Sequence, residues 1–333
     1  MLYVTTKQRR NPVTSYKPLI SDAGEDGGCY LPFRIEPLPW VDTIEELSFS
    51  QAVSNILNYF FSAKLNAWDI ESGIGRSTCR IAALSSKMLV AETWHNPGFS
   101  YGYITERIYA SLCEEHKIKG RPTFWVRVVT RVAVIFGLYA DAVKSHYICK
   151  SEQLDIALSG DDLTDLIACY YAKILGLPIG MILCGSQSGQ LWDLIQRGVI
   201  NTQQLSPEAI RFAEWLLAVM ENGQTTTSTS DKGKQEKQLY LESNTLASLQ
   251  KVFFAAVISH ERITSVINSV FRTDSCVINA NTAAAYGAIQ DYRTKAGFGN
   301  TTLLFADCVP SAQADIIKKA TGITDSVLSD YCQ

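Results

Sequence analysis

The chain has 333 residues, 47 % of them hydrophobic and 19 % charged, with a net charge of −3. This composition excludes a disordered or collagen-like chain, and the small charge gives no electrostatic case for nucleic-acid binding. No apolar run approaches the length of a membrane helix, and the basic start MLYVTTKQRRNP has no apolar core behind it, so neither membrane association nor secretion is expected.

At about 100–200 residues per domain the length suggests two domains. Residues 1–40 are rich in Gly and Pro, with turn chemistry in GEDGGCYLP (24–32) leading into a short strand. Val53, Ile56, Leu57, Phe60 and Phe61 define one helical face, with Ser50 as the expected N-cap. Ile104, Ile108 and Leu112 mark a second helix. A third is expected over 125–146, with Trp125, Val128, Val129, Val132 and Phe136 inward.

The middle of the chain is the most regular. LDIALSG (154–160) reads as a buried strand, 162–175 as a helix closed by Gly176, and PIGMILCG (178–185) as a second strand. Strand, helix, strand with short loops predicts a βαβ unit and a parallel sheet. Leu191, Leu194 and Ile195 begin another helix. Residues 222–238 are polar and of low complexity, which predicts a mobile surface loop. Helices are expected near 245–258, 261–271, 281–295 and 311–319, with a strand at 301–307.

Nine cysteines occur, with no CxxC pair, and four scattered histidines with no HxxxH pair. Buried free thiols in a reducing cytoplasm follow, and no metal site is indicated by spacing.

Several stretches, in order, resemble threonine synthase, a pyridoxal-phosphate enzyme of fold type II. YVTTK (3–7) is similar to that family's Y-x-S-T-R, and GEDGGCYLP to its A-x-D-G-G-L-Y-x-P. AETWHNPGFSYGY (91–103) resembles E-L-F-H-G-P-T-L-A-F-K-D, and TFWVRVV (123–129) resembles I-N-W-A-R-I. SGDDLTDLIACYYAKILGLPI (159–179) carries the most specific match, YYAKILGLPI, followed by CGSQSGQLWDLIQRG (184–198). INANTAAAYGA (278–288) and FADCVPSAQ (305–313) complete the series. The resemblance implies an α/β fold with a three-layer parallel sheet. It places an N-terminal domain at 1–88 and a catalytic-type α/β domain at 89–333.

The departures from that family bear on chemistry. The position of its Schiff-base lysine is Gly102, followed by Tyr103, and glycine has no amine. Its phosphate loop reads Asp161, Asp162, Leu163 and Thr164 here, placing carboxylates where a dianion would sit. The threonine facing the cofactor's pyridine nitrogen becomes Asp307. Only residues 103–160 lie where the family has a small cofactor-binding domain, and one βαβ unit alone needs about 30 residues. That domain is therefore expected to be largely deleted and the cleft more open. No cofactor is expected. Lys173 is the one alternative Schiff-base candidate, although it matches a family lysine with another role.

If the fold is kept, His95, Tyr101 and Asp161, Asp162 and Asp307 converge as acid/base candidates. Tyr103, Asn281, Thr164 and Gly102 are candidates for substrate contact. Paired carboxylates split their pKa values, and a histidine can shuttle protons. One of Asp161 and Asp162 is an equally good helix N-cap. Cys308 beside Asp307 reads as a buried apolar thiol rather than a nucleophile. Because buried unpartnered carboxylates are costly, replacement by three aspartates and a tyrosine suggests retained use. Two readings follow. One is a pyridoxal-phosphate-independent enzyme doing lyase, isomerase or cyclisation chemistry on a small metabolite, in specialised metabolism. Its substrate would be amine-bearing or carrier-tethered. The other is a pseudoenzyme acting as a binding or scaffolding subunit. A homodimer is the expected assembly.

Overall fold

The computed structural model describes residues 1–74, 80–85, 87–94, 101–160, 163–201, 207–220, 227–229 and 238–332. The N-terminal stretch, expected to be irregular, forms a small antiparallel sheet in the order β2-β1-β3. Its strands are β1 (Leu2–Thr5), β2 (Val13–Thr14) and β3 (Tyr30–Pro32), with helix α1 (Tyr16–Ile20) between the last two. The turn before β3 is built by Gly27 at φ +74° and by Asp26 Oδ1, which accepts from Gly28 N at 2.9 Å.

Helix α2 (Phe49–Phe61) buries Val53, Ile56, Leu57, Phe60 and Phe61 completely, as their spacing predicts. Its cap is Ser48, not Ser50. Ser48 Oγ accepts from Gln51 N at 3.2 Å, and Gln51 Oε1 accepts from Ser48 N at 2.8 Å. This reciprocal pair satisfies two orphan donors at once, which a buried Ser50 inside the first turn cannot do. Helix α3 (Ala67–Ile74), strands β4 (Arg80–Ser85) and β5 (Met88–Glu92), and helices α4 (Tyr101–His116) and α5 (Phe124–Lys144) follow. Thr123 caps α5 through its side chain, accepting from Val126 N at 3.3 Å.

The βαβ unit is present as β6 (Leu154–Ser159), α6 (Leu163–Ile174) and β7 (Ile179–Ser186). Its strands are parallel, with Ile156 opposite Ile182 and Ala157 opposite Leu183. The helix expected from Leu191 is only one turn, α7 (Gln190–Trp192), continued as a π-turn over Asp193–Arg197. A second small antiparallel sheet joins β8 (Val199–Asn201), β9 (Thr227–Thr229) and β10 (Gln238–Leu241), with α8 (Pro207–Met220) between the first two. Within the 222–238 stretch read as a loop, Thr227–Thr229 is thus a strand. Most of the remaining residues there lie outside those described.

The helix expected over 245–258 is corrected. Helix α9 (Ser243–Gln250) ends early, and Phe253–Val257 is a strand, β11, parallel to β7. A short apolar run such as FFAAV carries no period that separates strand from buried helix. Helices α10 (His260–Asp274) and α11 (Ala280–Ala296), strand β12 (Thr301–Ala306) and helix α12 (Ala314–Thr321) lie close to expectation. Helix α13 (Asp325–Tyr331) was not expected.

The main sheet runs β11-β7-β6-β12-β5-β4, parallel except for the edge strand β4. Alternate side chains of β12 divide between two cores. Leu303 and Phe305 pack with α2, α5 and α6, whereas Leu304 and Ala306 pack with α11. Three layers result. Gly185 lets α11 approach β7, since a Cβ there would lie 1.9 Å from Ala284 O. Residues 103–160, the interval set against the small domain of the resembled family, contain most of α4, then α5 and a single strand, β6, which belongs to the main sheet. Among the described residues no helix is long and apolar enough to cross a membrane.

Candidate functional site

The carboxyl ends of β6, β12 and β5 are neighbours, at the usual spacing of about 4.8 Å between adjacent strands. Thr93, just after β5, is tied to the end of β12: its N and Oγ1 both donate to Ala306 O, at 3.0 and 3.2 Å. After β6, Gly160 N donates to Gly185 O at 2.8 Å. Strand β6 leads into α6 on one face of the sheet. Strand β12 leads through the turn Pro310–Gln313 into α12, which packs on α10 on the other face. Adjacent strands whose connections leave on opposite faces open a crevice at their carboxyl ends.

Two helices begin at this edge. Helix α6 starts four residues after β6 ends. The start of α11 is fixed by Asn279, which is 1 % exposed. Asn279 Oδ1 accepts from Thr282 N at 2.8 Å, and its Nδ2 donates to Cys308 O at 2.5 Å. Gln313 Oε1 accepts from Ala280 N at 2.6 Å. Both helix N-termini present positive dipole ends, which favour an anionic group nearby.

Of the candidate residues, Asn281 occupies the first turn of α11 and is partly buried, next to the Asn279–Cys308 contact. Thr164 is 2 % exposed in the first turn of α6. Asp307 follows β12 directly and is exposed. The burial argument therefore fails for Asp307, because a solvated carboxylate costs nothing to keep. Tyr101, Gly102 and Tyr103 open α4, and only their backbone is described. His95, Asp161 and Asp162 lie outside the described residues.

Cys308 is half-buried. Burial, and after it the charge of Asp307, pushes its thiol up and away from thiolate. The eight described cysteines form no disulfide, and their burial is mixed: Cys149 is exposed. Among the described residues no group of three or more His, Cys, Asp or Glu side chains is placed to hold a metal.

Sequence reasoning missed two buried ionic groups beside this edge. Arg131 on α5 pairs with Asp165 in the first turn of α6, Nε to Oδ1 at 2.5 Å. A lone arginine in the apolar run VVTRVAVIF was the available signal. Glu92, the last residue of β5, is 2 % exposed. Its Oε1 accepts from Tyr331 Oη at 3.2 Å, and its Oε2 lies 3.4 Å from Arg80 Nε. Cys276 Sγ is 3.3 Å from the same phenol oxygen.

No protein-family model matches the chain. Threonine synthase-like 1 of Homo sapiens and of Pongo abelii are each 24 % identical to it over 174 residues. The match spans 48 % of this chain and 23 % of either relative, so the chain covers about a quarter of their length. The structure superposes on threonine synthase from Brucella melitensis with a TM-score of 0.79 and 14 % identity, covering 100 % of this chain and 94 % of that one. Yeast threonine synthase gives a TM-score of 0.71 and 11 % identity, over 97 % and 90 % of the two chains. The chain is threonine-synthase-like in fold and in sequence.

On this threonine synthase fold the alternative Schiff-base candidate, Lys173, is bonded to backbone carbonyls. Lys173 Nζ donates to Ile179 O and, at 3.0 Å, to Gly180 O. Those carbonyls open β7, at the end of the sheet opposite the crevice. Burial pulls the Lys173 amine down and Asp155 raises it in part. Asp155 itself is 1 % exposed, with Oδ1 accepting from Met181 N at 2.8 Å and from Asn300 Nδ2 at 2.9 Å. This is an anchor for the amino end of the sheet.

Proposed function

We propose that this threonine-synthase-like chain is an enzyme that works without pyridoxal phosphate. It uses acid/base groups of the crevice for a lyase, isomerase or cyclisation step on a small metabolite. The residues present do not fit the cofactor. Position 102 is a glycine at the start of α4, and Lys173 is engaged at the far end of the sheet. No step is therefore routed through it. The observation that supports the reading is topological: β6, β12 and β5 are adjacent parallel strands whose carboxyl ends share one edge, Thr93 ties β5 to β12, and Asp307 directly follows β12.

In this reading the carboxylates of Asp161, Asp162 and Asp307 divide acid and base roles, and His95 carries protons between them. An exposed Asp307 suits a mouth open enough for a tethered or amine-bearing substrate. That residues 103–160 hold no strand besides β6, a member of the main sheet, supports a cleft without the closing domain. The substrate, the cytoplasmic setting and a homodimeric state belong to the same proposal.

Metabolite profiling of three strains tests it: intact, gene-deleted, and carrying His95→Ala with Asp161→Asn and Asp162→Asn. The expected result is that the point mutant accumulates the same compound as the deletion. If only the deletion changes the profile while the mutant protein remains folded, the crevice does no chemistry and the chain acts as a scaffold.

A further inference from the structure

The last turn of α5 lines a cavity of about 570 Å³. Small-molecule sites commonly measure about 300–1,000 Å³. Asp141 and Lys144 stand three residues apart in that turn, and both belong to the cavity wall. This spacing sets two side chains on one face of a helix, about 5–6 Å apart. Opposite charges so placed can close on each other. Here they do not: Asp141 Oδ2 is buried with no hydrogen-bond partner, and among the described residues Lys144 forms no ion pair with it. Asp141 also stands at the negative end of the helix dipole, which opposes its own charge and favours a cation beside it. Burial raises its carboxyl to about 6 against a smaller pull from Lys144, so it is mostly ionised at neutral pH.

The rest of the wall decides what fits. Glu71 on α3 and Arg80 on β4 add one charge of each sign. Arg80 is shared with Glu92, Nε to Oε2 at 3.4 Å. With two carboxylates against two cations, the described wall has no net charge. A lone cation or a lone anion in the cavity would leave an imbalance. A molecule carrying both charges close together satisfies Asp141 and Lys144 at once. Phe49, Ile81 and Tyr147 supply apolar surface for its body. Thr164, Asn281 and Asp307 of the crevice are not part of this wall.

We propose that this cavity binds a free α-amino acid with an apolar side chain, its ammonium on Asp141 and its carboxylate on Lys144. The site stands independently of the reading given for the crevice.

The test follows thermal unfolding of the full chain at neutral pH with L-valine, L-leucine, L-methionine and L-phenylalanine. At least one is expected to raise the melting temperature by about 2 °C or more at ~10 mM. For the best of them, the matching amine without the carboxylate and the matching acid without the ammonium should each give less than half the shift. In calorimetric titration with that amino acid, Asp141→Asn and Lys144→Gln should each weaken binding by about tenfold or more. Asp141→Asn removes an unpartnered charge, so loss of binding there is not loss of the fold. Lys251→Gln, an exposed residue outside the wall, should bind as the unaltered chain does. No stabilisation by any of the four amino acids overturns the proposal. So does equal stabilisation by the amine alone, or binding that survives unchanged in both cavity variants. Binding lost in Asp307→Asn but kept in Asp141→Asn would place the amino acid in the crevice and overturn it too.

Discussion

Arg131 Nε donates to Asp165 Oδ1 at 2.5 Å across the α5–α6 contact, with the two side chains only 10 % and 9 % exposed. The pair stands at the N-terminus of the helix that follows β6. Two charges taken out of water repay that cost only while both are present. Asp165→Asn is therefore expected to lower the unfolding free energy by about 3–5 kcal/mol. The double replacement Arg131→Met with Asp165→Leu should recover most of that loss. Urea unfolding of the three proteins decides it. A single variant costing under about 1 kcal/mol would show that the ion pair is no anchor.

Lys173 is held by carbonyls rather than poised for chemistry. Lys173→Met removes a donor from Ile179 O and Gly180 O, beside the buried Asp155. A loss of about 1–3 kcal/mol is expected, with no change in the metabolite profile of a strain carrying the variant. Incubation with pyridoxal phosphate and borohydride should leave no adduct on the Lys173 peptide. A labelled Lys173 would return the chain to cofactor chemistry.

Tyr331 joins the last helix to the end of β5. Its hydroxyl donates to Glu92 Oε1 and stands beside Cys276 Sγ. Burial, and then Cys276, pushes the phenol well above its ordinary pKa, so it stays a donor. Tyr331→Phe is expected to cost about 1.5–3 kcal/mol, since the acceptor is a buried carboxylate. A double-mutant cycle with Glu92→Gln should show coupling of at least about 0.5 kcal/mol. Additive losses would mean that the contact is incidental.

How far the sequence could be read depended on period and on distance. The βαβ unit was legible because Leu166, Cys169 and Tyr170 repeat at helical spacing between two short apolar runs, each closed by a turn. The edge strand β11 was not, because Phe253–Val257 is too short to show a period and its identity comes from pairing with β7. The cap of α2 is a different case: Ser48 with Gln51 three residues on is the local pattern of a capping box, a signal in the sequence that the choice of Ser50 passes over. At the site, the structure sets Asp307 directly after β12 and Asn281 in the first turn of α11. Burial was not legible there, and Asp307 proves exposed. The pairings of Arg131 with Asp165 and of Glu92 with Tyr331 join residues 34 and 239 positions apart, beyond the reach of local pattern.

Asp141, near the end of α5, lines a cavity of about 570 Å³ with Ser48, Ser50, Glu71, Lys144 and Tyr147. Burial pushes its carboxyl up to about 6, against a smaller opposing pull from Lys144. Its Oδ2 is buried without a hydrogen-bond partner. Because the folded pKa lies above the unfolded one, the folded chain binds more protons between about pH 4 and 6. Stability from this group is thus fully present below about pH 4 and is lost as pH rises through 6. The swing is at most about 3 kcal/mol, and the Lys144 charge and partial solvation reduce it. Asp141→Asn keeps the shape and removes the charge. It is expected to raise stability at pH 7 by about 1–2 kcal/mol and to flatten this part of the profile. Chemical unfolding of both proteins at pH 4, 5, 6 and 7 measures the difference directly. Parallel profiles for the two proteins would show that Asp141 ionises in the fold as it does in water.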